Sequence, residues 1–148
     1  MKKHFIFLFI GIVLAVLFMV FSAVVMESIY YEREFSNEMY NQSLYGIVSI
    51  IDVIVAAAMV GLFYYVINSV SFSRWYHWLL VALVTSALAS AAAWFCCNRV
   101  FTVDNIDFSV QLIAFCLVNV LIEFVVFTVL SFSARWWSTN CRHTPIPE

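Results

Sequence analysis

Charge is what this sequence has least of. Asp, Glu, Lys and Arg supply 11% of its 148 residues while hydrophobic side chains supply 65%, against roughly 25% charged usage in soluble domains. Glycine is almost absent too. Three in the whole chain leave no room for the glycine-rich loop that cradles a nucleotide phosphate. The two prolines, Pro145 and Pro147, both fall in the last residues. Lys and Arg form no basic stripe and do not interleave with aromatics, which excludes nucleic acid as a partner.

Catalytic and metal-binding patterns are missing as well. His4, His77 and His143 are far apart and have no second ligand at metal spacing. There is neither an H-E-x-x-H helix nor a Ser/His/Asp arrangement. Of the four cysteines, Cys96 and Cys97 are adjacent, Cys116 lies inside an apolar run and Cys141 lies near the end. Four-helix membrane thiol oxidases relay electrons through spaced cysteine pairs. Here a single adjacent pair, strained as an intrachain bond, has no second pair to exchange with, so the cysteines read as small hydrophobes. Small four-helix multidrug exporters keep a glutamate in their first helix, whereas the first apolar run here holds no acid. No enzyme, cofactor or metal is expected.

What the chain does have is long apolar runs. Four windows, 5–26, 44–67, 75–97 and 106–132, are each at least 22 residues long, against the ~20 needed to cross a bilayer core. Away from their ends they hold only two formal charges, Asp52 and Glu123. The expectation is an all-α integral membrane protein: an up-down bundle of four transmembrane helices within 1–137, a polar outer loop at 27–43, and a short disordered cytoplasmic tail at 138–148. The first run exceeds the roughly 7–15 residues of a signal-peptide core, and Ser22 and Ala23 make no clean cleavage site, so it is expected to stay as a helix. Lys2, Lys3, Arg74, Arg135 and Arg142 fall on one side of these runs, Arg33 and Arg99 on the other. By the positive-inside rule both termini are cytoplasmic, in a plasma or bacterial inner membrane. The acids Glu27, Glu32, Glu34, Glu38, Asp104 and Asp107 collect outside.

Residues 27–43 carry Ile29, Tyr30, Tyr31, Phe35, Met39 and Tyr40 among four acids. That is too aromatic for a solvated linker. It suits a short helix on the bilayer surface or an extension of the first helix.

At 100° per residue, side chains sort into faces. Gly11, Ala15, Phe18 and Ser22 form a small-residue stripe on the first helix that lets a neighbour approach closely. The second aligns Tyr45, Ser49, Asp52, Ala56, Met59 and Phe63. The third aligns Ala82, Ser86, Ser90, Ala93 and Cys97, and its small residues suggest a central position. The fourth aligns Cys116, Asn119 and Glu123. Segments Ser71-Phe72-Ser73-Arg74-Trp75 and Ser131-Phe132-Ser133-Ala134-Arg135-Trp136 resemble each other and would end a helical hairpin occurring twice.

Asp52 and Glu123 are the nearest thing to a functional address, because an acid in hydrocarbon costs several kcal/mol unless partnered. Counting in from the helix ends places both near the midplane. Three roles are open to them: a proton- or cation-binding pair, neutral acids bonded to Ser49, Ser86, Ser90 or Asn119 that tie helices together, or contacts to a partner chain. The expected function is a small non-enzymatic membrane component that acts by assembly, as a homo-oligomer or with another membrane protein, through the polar faces of the second and fourth helices in the lipid bilayer. The alternative is a small proton- or cation-coupled transporter or channel that uses Asp52 and Glu123.

Overall fold

A computed structural model describes residues 2–67, 70–72, 74–104 and 106–138, which are helical apart from short connecting turns and irregular stretches such as 30–32 and 106–108. The helices are α1 (Lys2–Val20), α2 (Ser22–Ile29), α3 (Arg33–Asn41), α4 (Leu44–Gly61), α5 (Trp75–Val103) and α6 (Ser109–Ala134). Three spans are long and apolar enough to cross a membrane: α4 with its continuation to Ile67, α5, and α6 with its last turn to Trp137. The pair α1 and α2 makes a fourth if it counts as one broken span. The tail expected at 138–148 lies, beyond Ser138, outside the described residues.

The first run departs from expectation. Instead of one straight span over 5–26, the chain bends by 73° between α1 and α2, at Phe21, whose φ of −100° and ψ of 19° leave the helical region. Neither proline nor glycine sits there. The bend turns Ser22 and Met26 into the bundle, where both are buried. Within the polar segment 27–43, α2 runs on to Ile29 and a separate short helix, α3, follows, as the aromatic content of the segment suggests. The Glu32 carboxylate caps α3 by accepting from the Phe35 N–H at 3.0 Å, and the Glu32 N–H donates back to Ser36 Oγ at 3.2 Å. This short helix buries Phe35 against Phe101, Phe108 and Phe115, with ring centroids 5.7–5.9 Å apart. Burial, then the nearby Glu32 charge, pushes the Tyr30 hydroxyl above its ordinary pKa beside it.

Two other boundaries move. Expected to stop at 97, α5 runs 29 residues to Val103, or about 43 Å at 1.5 Å per residue. That exceeds a ~30 Å hydrocarbon core, so its Asn98 and Arg99 turns can reach past it. α6 begins at Ser109 rather than 106, because Asp107 accepts from the Ser109 N–H at 3.2 Å and its O–H at 2.5 Å. Those bonds hold the Asp107 carboxyl below its ordinary pKa.

Helix packing also differs from expectation in one respect. α4 and α6 each pack on all the other long helices, whereas α5 packs chiefly on these two. The small side chains of α5 (Ala82, Ser86, Ala89, Ala93, Cys97) lie on one buried face, while Leu80, Leu83, Leu88 and Phe95 remain exposed. Small residues set how closely helices approach, and only one side of α5 uses that.

At its far end α4 widens into a π-helical segment, Leu62–Ile67. The widened register lets consecutive Phe63 and Tyr64 both face inward, and both are buried. The Tyr64 hydroxyl and the Trp78 indole N–H meet on the Ser131 hydroxyl, each at 2.8 Å. Ser131→Ala leaves the Trp78 N–H without this acceptor in an apolar cluster. The expected loss is about 1–3 kcal/mol of stability, read as a fall in detergent melting temperature. No measurable fall would mean that Trp78 does not depend on Ser131. Finally, the first turn of α1 meets the end of α6: the His4 ring stacks on Trp136 at 5.0 Å and the Phe7 ring at 5.2 Å.

Candidate functional site

The core is two apolar clusters with a polar layer between them. On one side Phe35, Tyr45, Val48, Ala93, Cys97 and Phe115 pack together. On the other side Ala56, Val60, Phe63, Trp78, Ala82 and Phe127 do so. Along α4, Asp52 falls between Val48 and Ala56. Along α5, Ser86 and Ser90 fall between Ala82 and Ala93. Along α6, Asn119 and Glu123 fall between Phe115 and Phe127. Three helices thus place their polar residues at one level, because each carries its polar side chains on the face that meets the others.

Asp52, Asn119 and Glu123 are each 0% exposed. The Asn119 amide donates from Nδ2 to Asp52 Oδ1 at 3.0 Å, tying α6 to α4. In apolar surroundings such a bond contributes about 0.6 kcal/mol, up to ~1.7. Glu123 lies one turn further along α6, about 6 Å of rise.

Of the residues singled out from sequence, Asp52, Asn119 and Glu123 therefore come together. The serines reach the layer but do not bond the acids. The Ser49 hydroxyl donates to the Gly46 carbonyl at 2.8 Å and the Ser86 hydroxyl to the Ala82 carbonyl at 2.9 Å, each in its own helix. Ser90, also buried, makes no hydrogen bond through Oγ. Cys116 is only half-buried.

The chemistry of the layer follows from its unpaired atoms. Asp52 Oδ2, Asn119 Oδ1 and both carboxyl oxygens of Glu123 are buried without a protein hydrogen-bond partner. All four are oxygens able to accept; α4 and α6 hold no Lys or Arg, and the one in α5, Arg99, lies in its last turns, beyond Cys97. Such a set can take up protons or a small hard cation. Among the described residues no three His, Cys, Asp or Glu side chains group as a metal site.

Sequence reasoning missed a second polar cluster, where His4 and Trp136 meet around Arg135. The repeated Arg-Trp boundary motif was its only signal, and that motif marks an interface anywhere. No protein-family model, no curated protein and no solved structure matches the chain.

Proposed function

We infer that the chain is a small non-enzymatic membrane protein that binds and releases a proton, or a monovalent cation, at Asp52 and Glu123 as part of transport or conduction across the bilayer. The observation that carries this is the surplus of buried acceptor oxygens. Acids that served only to tie helices would be satisfied by their neighbours, as buried polar groups in folded proteins generally are. Asp52 makes one such bond and Glu123 none. Protons or a cation supply what the protein does not.

Assembly through the polar faces of α4 and α6 is supported less well. Those faces turn toward each other within one chain, where their polar residues are already buried. A second copy or another membrane protein would have to dock on the apolar exterior instead. For orientation, the basic residues at the α1 start and after α4 and α6 support cytoplasmic termini. The contact between the start of α1 and the end of α6 supports both termini lying on one side.

Access to water tests the reading. In a chain freed of its own cysteines, Ser49→Cys, Ala56→Cys and Met59→Cys sample α4 on both sides of Asp52. With either apolar cluster able to open, membrane-impermeant thiol reagents are expected to label Ser49→Cys from one side of reconstituted liposomes and Ala56→Cys from the other. Complete protection of all three, in protein that keeps its native melting temperature, would mean a permanently dry interface and would end the transport reading.

A further inference from the structure

A second site stands at the end of the bundle where α1 begins and α6 ends. Arg135 is 6% exposed there. Its guanidinium stacks over the Trp136 ring at 4.6 Å and the Phe132 ring at 5.6 Å. Ring faces answer the charge but leave the in-plane N–H groups free. Nε and Nη1 are both buried without a hydrogen-bond partner, as are Trp136 Nε1 and His4 Nδ1. The Arg fork and the indole are donors, which is the reverse of the acceptor-rich layer in the middle of the bundle.

The sequence repeat sharpens the point. In the first copy of the Ser-Phe-Arg-Trp motif, Ser71, Phe72, Arg74 and Trp75 are exposed. In the second, Ser131, Ser133 and Arg135 are buried. An interfacial anchor needs only the first arrangement. Burying a guanidinium with its fork unpaired is costly and calls for an anion.

A different observation says what kind of anion. Further along the same α1–α6 seam, Leu14, Ala15, Phe18, Val125, Val129 and Leu130 line an almost wholly apolar groove of about 160 Å³. A charged donor cluster at the end of a helix pair and an apolar groove along it match the two parts of a membrane phospholipid. We propose that the α1–α6 seam is a binding site for an anionic phospholipid, its phosphate held by the Arg135 fork and the Trp136 N–H and one acyl chain lying in the Leu14–Val125 groove. The planar fork suits two phosphate oxygens. This site is independent of Asp52 and Glu123.

The test uses the full chain in detergent micelles, titrated with dioleoylphosphatidylglycerol, with dioleoylglycerol and with inorganic phosphate. Bound molecules are counted by native mass spectrometry and melting temperature is followed in parallel. One phosphatidylglycerol is expected to bind and raise the melting temperature, with neither of the others doing so. Arg135→Gln is expected to weaken that binding by about tenfold or more, the scale of a lost charge-assisted fork, and Arg135→Lys to weaken it less. Val125→Trp, at an exposed position, fills the groove without touching the donors and is expected to weaken it too. Equal protection by inorganic phosphate would make this an anion site without a lipid and overturn the proposal. So would full binding by a folded Arg135→Gln chain. A chain ending at Ser138 that binds tenfold better than the native one would make the residues after it the occupant, with the same consequence.

Discussion

Exchanging Asp52 for asparagine and Glu123 for glutamine in one chain is expected to lower proton or cation flux into liposomes by roughly 100-fold or more, the scale on which loss of a positioned proton-transfer group acts. Both replacements keep the shape of the side chain and remove its ability to ionise. An amide oxygen in place of Asp52 Oδ1 can still accept from the Asn119 amide, so the bond between α6 and α4 survives. The amide that replaces the Glu123 carboxyl brings an N–H donor into a layer rich in unpaired acceptors, Asn119 Oδ1 among them. The variant is therefore expected to fold and to melt within a few degrees of the native chain. Its mass in detergent is the decisive companion measurement. Loss of flux with unchanged mass is the transport result. A native oligomer that falls apart on substitution would make the acids assembly contacts after all. A double variant that conducts like the native chain, at unchanged mass, would reduce both carboxyls to helix ties.

Why that layer could be located from sequence, and other parts could not, is a matter of range. Which side chains share a helix face depends only on spacing along one helix. Spacing puts Tyr45, Ser49, Asp52, Ala56, Met59 and Phe63 on one face, and all are buried except Met59, which is half-buried. On the α6 face of Cys116, Asn119 and Glu123, the last two are buried and Cys116 is half-buried. Partners are another matter. Ser49 and Ser86 face the layer, yet a hydroxyl on a helix can always reach the carbonyl one turn back, and both do so. The bend at Phe21 has no local signal, since neither proline nor glycine marks it. It follows from where Met26 finds its cavity, which is a property of the assembled bundle. The two Arg-Trp motifs look alike in sequence. The second one is buried by distant parts of the chain: Tyr64 and Trp78 on Ser131, Gly11 against Ser133, and His4 and Phe7 stacked on Trp136.

The α1–α6 seam itself supplies the other large expected effect, from Gly11→Ala. A Cβ at Gly11 would lie 2.2 Å from Ser133 Oγ and 2.4 Å from Ser133 Cβ. Rotating the serine hydroxyl away does not help, because the Cβ is part of the clash and stays where the backbone puts it. To reach ordinary contact, at roughly 3.5 Å or more, α1 and α6 must separate by about 1 Å. That disturbs everything along the seam, including the His4 and Phe7 stacks on Trp136 and the Leu14–Val125 groove. Overpacking of this kind costs about 1–3 kcal/mol, and Gly11→Val should cost more. The other two glycines serve as controls. A Cβ at Gly46 or Gly61 meets nothing within 4 Å, so alanine there should be neutral or stabilise by up to ~1 kcal/mol. Ser133→Gly removes both clashing atoms and also frees the Val129 carbonyl from the serine hydroxyl, which now bonds it at 2.7 Å. Paired with Gly11→Ala it should recover most of the loss. A double-mutant cycle of detergent melting would read that recovery as a coupling of about 1 kcal/mol or more, well above the few tenths seen between independent sites. If Gly11→Ala melts with Gly61→Ala, or if Ser133→Gly rescues nothing, α1 does not pack on α6 through this contact. The lipid site would then lose the seam it is built on, while the Asp52–Asn119 bond between α4 and α6 would stand untouched.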